Sequence, residues 1–301
     1  MRRSPAPSLA AIARQSGGLA MVAMDQRESL RTMFDAAGAG RPGDEQLVAF
    51  KTDVAAALGP LASGFLIDRR LGFDRLRRGA LPSSCGLILA ADDLVQDQGG
   101  LVRETAIDGV VAAPEFDLTG VEAIKLLIIW RRDAAREQRV ELARSFIELA
   151  ARRNVLSVLE PVVRATGEEE RTGEWDMDAA ILEAARELSP LRPSLYKAQV
   201  PRRGRAGNGS VDELRRACER LGTAITGPWV VLSQGVDRDD FHGAVLAACR
   251  GGASGFLAGR ALWSDVVGRP DVPQALAQVA VPRLERLVEV VDREAAPWSG
   301  T

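Results

Sequence analysis

The sequence predicts an α/β fold, a single (β/α)8 TIM barrel spanning residues 1–301. Three observations predict it. Eight apolar runs bounded by turn residues recur along the chain, each followed by a segment of helical periodicity. The runs are nearly continuous in apolar residues, as strands of a parallel sheet covered on both faces must be, and right-handed βα units are their natural assembly. The place directly after the first run, where a doubly wound open sheet carries its glycine-rich phosphate turn, holds DQRESL instead.

Strand one is GLAMVAMD (18–25), closed by charged residues; SGFLID (63–68) and CGLILAAD (85–92) are the second and third. The fourth, EAIKLLIIW (122–130), carries Lys125 inside it. AAREQRVELARSFIELAARR (134–153) follows, with apolar residues three and four apart, which marks an amphipathic helix of the outer layer. LSVLEPVV (156–163) holds Glu160 and precedes a second such helix, DMDAAILEAARELS (176–189). SLYKAQVP (194–201) holds Lys197 and precedes VDELRRACERLG (211–222). PWVVLSQGV (228–236) and SGFLAGR (254–260) complete the eight. The last helix, VPRLERLVEVVDR (281–293), has an apolar stripe that serves either the core or an interface. At the ends, MRRSPAPS (1–8) reads as a loose arm and AAPWSGT (295–301) as a frayed tail.

Composition narrows the function. A formal net charge of −2 argues against nucleic acid or an anionic membrane as the main partner. No apolar stretch reaches the roughly 18 residues of a membrane span, so a cytoplasmic enzyme is expected. The three cysteines, Cys85, Cys218 and Cys249, lack Cys-x-x-Cys spacing and predict neither disulfides nor a zinc ribbon. His242 is the single histidine, set beside Asp239 and Asp240 at a helix start. Zinc chemistry and Ser-His or Cys-His hydrolysis need imidazoles, so acid–base work falls to Lys, Asp, Glu or the single tyrosine, Tyr196.

Reactive groups of a (β/α)8 barrel sit at the C-terminal ends of its strands, and those ends are polar here. Asp25, Gln26 and Arg27 close strand one, and Lys125, Glu160 and Lys197 fall on the neighbouring strands four, five and six. A charge inside an apolar strand needs a partner, and these three supply one another. Burial and the nearby Lys125 would favour a neutral Lys197, the nucleophile that Schiff-base chemistry on a carbonyl requires. The other reading of the trio is a structural ion-pair cluster, and of Asp25 a helix cap paired with Glu28. Ser233, Gln234 and Gly235 close strand seven, and GASGFLAGR brings Gly259 and Arg260 to the end of strand eight. Small residues with an arginine fit a phosphate loop in which backbone N–H groups hold the anion, or else a tight turn.

The stretches AMDQRESLRTMF, IKLLIIWRRD, LSVLEPVVR, LYKAQVP, PWVVLSQGVD and GASGFLAGRALW, in that order, resemble the Schiff-base-forming class I aldolases of the tagatose-1,6-bisphosphate aldolase type. Within that group they are most similar to the sulfosugar-phosphate aldolases of sulfoglycolysis. The resemblance implies metal- and cofactor-free cleavage of 6-deoxy-6-sulfofructose 1-phosphate to dihydroxyacetone phosphate and 3-sulfolactaldehyde, by a self-associating barrel. A tagatose- or fructose-bisphosphate aldolase is the alternative substrate reading, and a non-catalytic sugar-phosphate-binding regulator the alternative of another class. The family's Schiff-base lysine falls on Lys197, its proton-shuttling glutamate on Glu160, its second lysine on Lys125 and its first-strand aspartate on Asp25. Its phosphate residues fall on Ser233, Gly235, Gly259 and Arg260. Gln26, Arg27 and Arg131, after strands one and four and expected away from Arg260, are the candidates for a sulfonate, which asks for fewer cations than a phosphate. Two departures bear on substrate choice: Gln234 stands where a small residue is usual, and PRRGRAGNG (201–209) is unusually basic and glycine-rich.

Overall fold

Leu19, Met21 and Ala23 point to one face of the first strand and Ala20, Val22 and Met24 to the other, yet all six are buried. That double burial is the signature of a closed parallel sheet inside a helical shell. The computed structural model describes residues 6–96, 101–204 and 211–300. Its strands, in chain order, are β1 (Leu19–Met24), β2 (Gly64–Asp68), β3 (Gly86–Ala90), β4 (Asp92–Gln96), β5 (Val102–Ile107), β6 (Val121–Trp130), β7 (Leu156–Val163), β8 (Leu195–Ala198), β9 (Trp229–Val231) and β10 (Gly255–Ala258). Eight of them form the closed parallel barrel β1-β10-β9-β8-β7-β6-β3-β2. The expected (β/α)8 TIM barrel is therefore the fold.

The longer helices are α1 (Glu28–Ala36), α2 (Asp44–Leu58), α3 (Arg136–Arg152), α4 (Met177–Leu188), α5 (Val211–Ala224), α6 (Phe241–Arg250) and α7 (Val281–Glu294). The helices read at 134–153, 176–189 and 211–222 are α3, α4 and α5. The stripe of α7 serves the core: Leu284, Leu287, Val288, Val290 and Val291 are all buried.

Two readings need correction. The run read as strand three, 85–92, ends as a barrel strand at Ala90, and Asp92 opens an antiparallel pair outside the barrel, β4 and β5. The C-terminal segment is anchored rather than frayed, since Ala296 N–H donates to Ala253 O at 3.0 Å and Trp298 N–H to Gly17 O at 3.2 Å. Of the N-terminal arm, residues 1–5 lie outside the described residues, and Ser8 caps a short turn at Leu9–Ile12. Residues 205–209 of the basic segment also lie outside them. Among the described residues no helix is long and apolar enough to cross a membrane.

Alternation along each strand builds the barrel interior in layers. The lower layers hold Leu19, Met21, Leu66, Ile88, Ala123, Leu156, Val158, Leu195, Val230 and Leu257, and Leu9, Ile12 and Trp298 cover the N-terminal end. A smaller upper cluster of Ile129, Val162 and Leu232 stands near the opposite end. The same alternation turns Lys125, Glu160 and Lys197 inward. The barrel closes where β1 pairs with β10, Leu19 opposite Gly255. Gly255 sits at φ +139°, and a Cβ there would lie 1.9 Å from Leu19 O, so only glycine fits the seam.

Candidate active site

Lys197 is 3% exposed on the inward face of β8, and its Nζ lies 2.9 Å from Glu160 Oε1 on β7. Lys125 on β6 is 1% exposed and has far more company. Its Nζ is 2.7 Å from Asp25 Oδ2, 2.8 Å from Asp92 Oδ2 and 3.0 Å from Glu160 Oε2. Burial disfavours its charge, but the three carboxylates outweigh that and hold its pKa well above the usual lysine value. Lys125 is therefore a fixed ammonium and unfit as a nucleophile.

Asp25 is not a helix cap. α1 begins after Arg27 without a side-chain cap, and the Asp25 carboxylate turns to Lys125 instead. Burial pushes its pKa up, but Lys125 and Lys197 prevail and hold it below the ordinary carboxylate range. A carboxylate so firmly ionised accepts hydrogen bonds well and takes protons poorly. Glu160 lies within 3.0 Å of both lysine Nζ atoms and so bridges them.

Asp92 completes this cluster, and the sequence reading missed it. Only 1% exposed, it accepts from Lys125 Nζ, from Leu127 N–H at 3.2 Å and, through Oδ1, from Arg27 Nη2 at 2.9 Å. Its own backbone carbonyl takes a second bond from Arg27 Nη2 at 3.0 Å. The available signal was its place as the last residue of the apolar run CGLILAAD, the third-strand equivalent of Asp25.

A cavity of about 890 Å³, including the solvent at its mouth, opens over these groups at the C-terminal ends of the strands. Asp25, Gln26, Arg27, Lys125, Glu160, Lys197, Ser233, Gln234, Gly259 and Arg260 all line it. Ser29, Asp92, Leu94, Gln96 and Arg164 join them without having been foreseen. Gly235, in the turn after β9, and Arg131 are not in the wall. Arg131, outside the wall, turns to β5, where its Nη1 pairs with Glu104 Oε1 at 2.9 Å. Gln26 is corrected in position. Because β1 adjoins β10, Gln26 abuts Gly259: a Cβ on Gly259 would fall 2.9 Å from Gln26 Nε2 and 2.8 Å from Ala23 O. Gln26 thus sits beside the Ser233–Gly259 corner, where Gly259 N–H donates to Ser233 Oγ at 3.4 Å.

The remaining sequence candidates lie elsewhere. Tyr196 faces outward from β8 in the core between barrel and helices, where burial raises its pKa further. The three cysteines are free and buried, their thiols pushed up to about 12 by desolvation, so they are inert. His242 is exposed on α6.

Two inward lysines, a carboxylate between them and the polar Ser233–Gly259 corner thus line one cavity, and comparison with known proteins shows the family of the chain. The sequence profile of the DeoC/LacD family aldolases matches residues 19–265. The chain belongs to the DeoC/LacD aldolase family. This aldolase is 25% identical over 311 residues to tagatose 1,6-diphosphate aldolase 2 of Streptococcus agalactiae, covering 94% of each chain. It is 24% identical over 315 residues to tagatose 1,6-diphosphate aldolase of Listeria monocytogenes, covering 95% of this chain and 91% of the other. In fold, the aldolase superposes on fructose-bisphosphate aldolase from Plasmodium falciparum with a TM-score of 0.69 at 13% identity, over 97% of both chains.

Proposed function

We propose that this aldolase works through a Schiff base on Lys197 and acts as a sulfofructosephosphate aldolase. It would cleave 6-deoxy-6-sulfofructose 1-phosphate to dihydroxyacetone phosphate and 3-sulfolactaldehyde. The observation that carries the lysine assignment is the difference in company: three carboxylates surround Lys125, whereas Lys197 touches one.

On this reading Lys197 attacks the C2 ketone as the free amine, and Glu160 protonates the departing hydroxyl as water to leave an iminium ion. Glu160, then a carboxylate, takes the C4 hydroxyl proton, the C3–C4 bond breaks, and its electron pair moves into an enamine. Asp25, held ionised, accepts a hydrogen bond from a substrate hydroxyl. Lys125 supplies a fixed positive charge beside the developing alkoxide. Protonation at C3 and addition of water to the iminium carbon release dihydroxyacetone phosphate and free the lysine. Ser233, Gln234, Gly259 and Arg260 receive the C1 phosphate.

The sulfonate assignment draws support from the end of β1. There Arg27 is already bonded to Asp92 by side chain and backbone, and Ser29 is also part of the lining. A half-neutralised guanidinium and a hydroxyl suit a monoanion better than a phosphate dianion. The second reading, a tagatose 1,6-bisphosphate aldolase, is favoured by the names of the streptococcal and listerial relatives. Borohydride trapping with dihydroxyacetone phosphate should put an adduct on Lys197 that is absent from Lys197→Met. Rates measured side by side should favour the sulfosugar phosphate, and a tenfold or greater preference for the bisphosphate would establish the second reading.

A further inference from the structure

One cation in the cavity wall is unused by the reaction just described. Arg164 follows β7 directly and shares its inward face with Glu160 and Val162, at steps of two residues. Val162 packs with Ile129 and Leu232, so Arg164 stands above that apolar layer at the mouth and lines the cavity. Its backbone is fixed, the N–H donating to Trp130 O at 2.9 Å. Its side chain is not satisfied: Nε is buried and has no hydrogen-bond partner among the described residues.

The charges that act on Arg164 are Arg131 and Arg260, both of its own sign. Burial first, and then these two neighbours, press its pKa below the usual arginine value. Arg131 is balanced by Glu104, whereas Arg260 is at the exposed rim. A partly buried guanidinium facing like charges is unfavourable until an anion enters. Arg27, the other arginine of the wall, differs because Asp92 already holds it.

We infer that Arg164 is the second arm of the phosphate subsite, closing on the phosphoryl group from the end of β7 while Arg260 holds it from the end of β10. The identity of the anion rests on the proposed reading, in which the phosphate belongs to the dihydroxyacetone half. Two guanidinium forks match a phosphate monoester of charge near −2 and exceed what a sulfonate monoanion uses. Arg164 therefore fixes which end of a substrate with two different anions enters which end of the cavity.

The test is adduct formation on Lys197 in the full-length enzyme, with borohydride and either dihydroxyacetone phosphate or unphosphorylated dihydroxyacetone. In Arg164→Gln the half-saturating dihydroxyacetone phosphate should rise roughly 10–100-fold, the worth of one charged hydrogen-bond donor, with dihydroxyacetone unchanged. Arg164→Lys, which keeps the charge without the fork, should fall between. Unchanged dihydroxyacetone phosphate saturation would overturn the inference, as would equal loss with both ketones, the mark of a merely structural arginine. If the wild type gives no adduct with either ketone, the Schiff-base reading fails by itself. Arg164 is then judged by inorganic phosphate, which should raise the melting temperature of the wild type and not of Arg164→Gln. An equal rise in both proteins overturns the inference.

Discussion

At the scale of single residues, the site is an exchange of three cations, Arg27, Lys125 and Lys197, with three carboxylates, Asp25, Asp92 and Glu160. In the proposed mechanism the two lysines diverge in role because their partners differ in number. Lys197→Met should lower cleavage by roughly 10³-fold or more with the fold intact, whereas Lys125→Met should lower kcat by about 10²-fold. Comparable rates in the two variants would undo the assignment. Asp92→Asn removes one of the anions around Lys125 and loosens Arg27. It should lower kcat less than Lys125→Met does, with Lys197 still trapped by borohydride. Asp25 also gives stability a pH dependence. Its folded pKa lies below the ordinary 3.8, so the unfolded chain takes up that proton first as pH falls. The stability it contributes is full above pH of about 5 and drains away in acid. Asp25→Asn should flatten the acid limb of a urea-denaturation series against pH, and an unaltered limb would contradict the ionised state of Asp25. Lys125, Glu160 and Lys197 were legible in the sequence because each breaks an apolar run. Asp92 and Arg164 were not, since a charge just past a strand end is ordinary; Arg131 misled because its partner comes from β5.

At the scale of elements, the β4–β5 hairpin sets this barrel apart from a bare repeat of eight βα units. It begins at Asp92, contributes Leu94 and Gln96 to the cavity wall, and returns through Glu104. Glu104 joins the hairpin to the barrel rim and α3, pairing with Arg131 Nη1 at 2.9 Å and Arg139 Nη2 at 2.7 Å. Glu104 is half exposed, so the pairs stabilise the fold by about 1 kcal/mol at most. Their effect is local. Glu104→Ala should leave the melting temperature nearly unchanged while speeding proteolytic cleavage between residues 92 and 107. Cleavage at the wild-type rate would show that other contacts hold the hairpin down. The sequence hid this element because its strands, DDLVQ and VRETAI, are short, largely polar and show no regular period, whereas the barrel strands announce themselves by continuous hydrophobicity. The helices were plain from their periodicity, α3, α4 and α5 appearing within a few residues of expectation.

At the scale of the whole molecule, the barrel was legible because eight buried strands and their helices repeat one pattern, and closure leaves no edge to pair elsewhere. The closing seam depends on one position. Gly255→Ala would drive a methyl into Leu19 O at a φ that disfavours side chains, and should lower Tm by roughly 5–10 °C or prevent folding. A Tm at the wild-type value would mean that the seam tolerates a wider spacing. Opposite the cavity, the bond from Trp298 to Gly17 places the two ends of the barrel fold side by side beneath the N-terminal layer. The molecule is thus nearly circular in the order of its parts. A permuted chain, with Trp298 and Gly17 joined by a short linker beneath the barrel and the chain opened in one of the outer connections, should rebuild the same cavity.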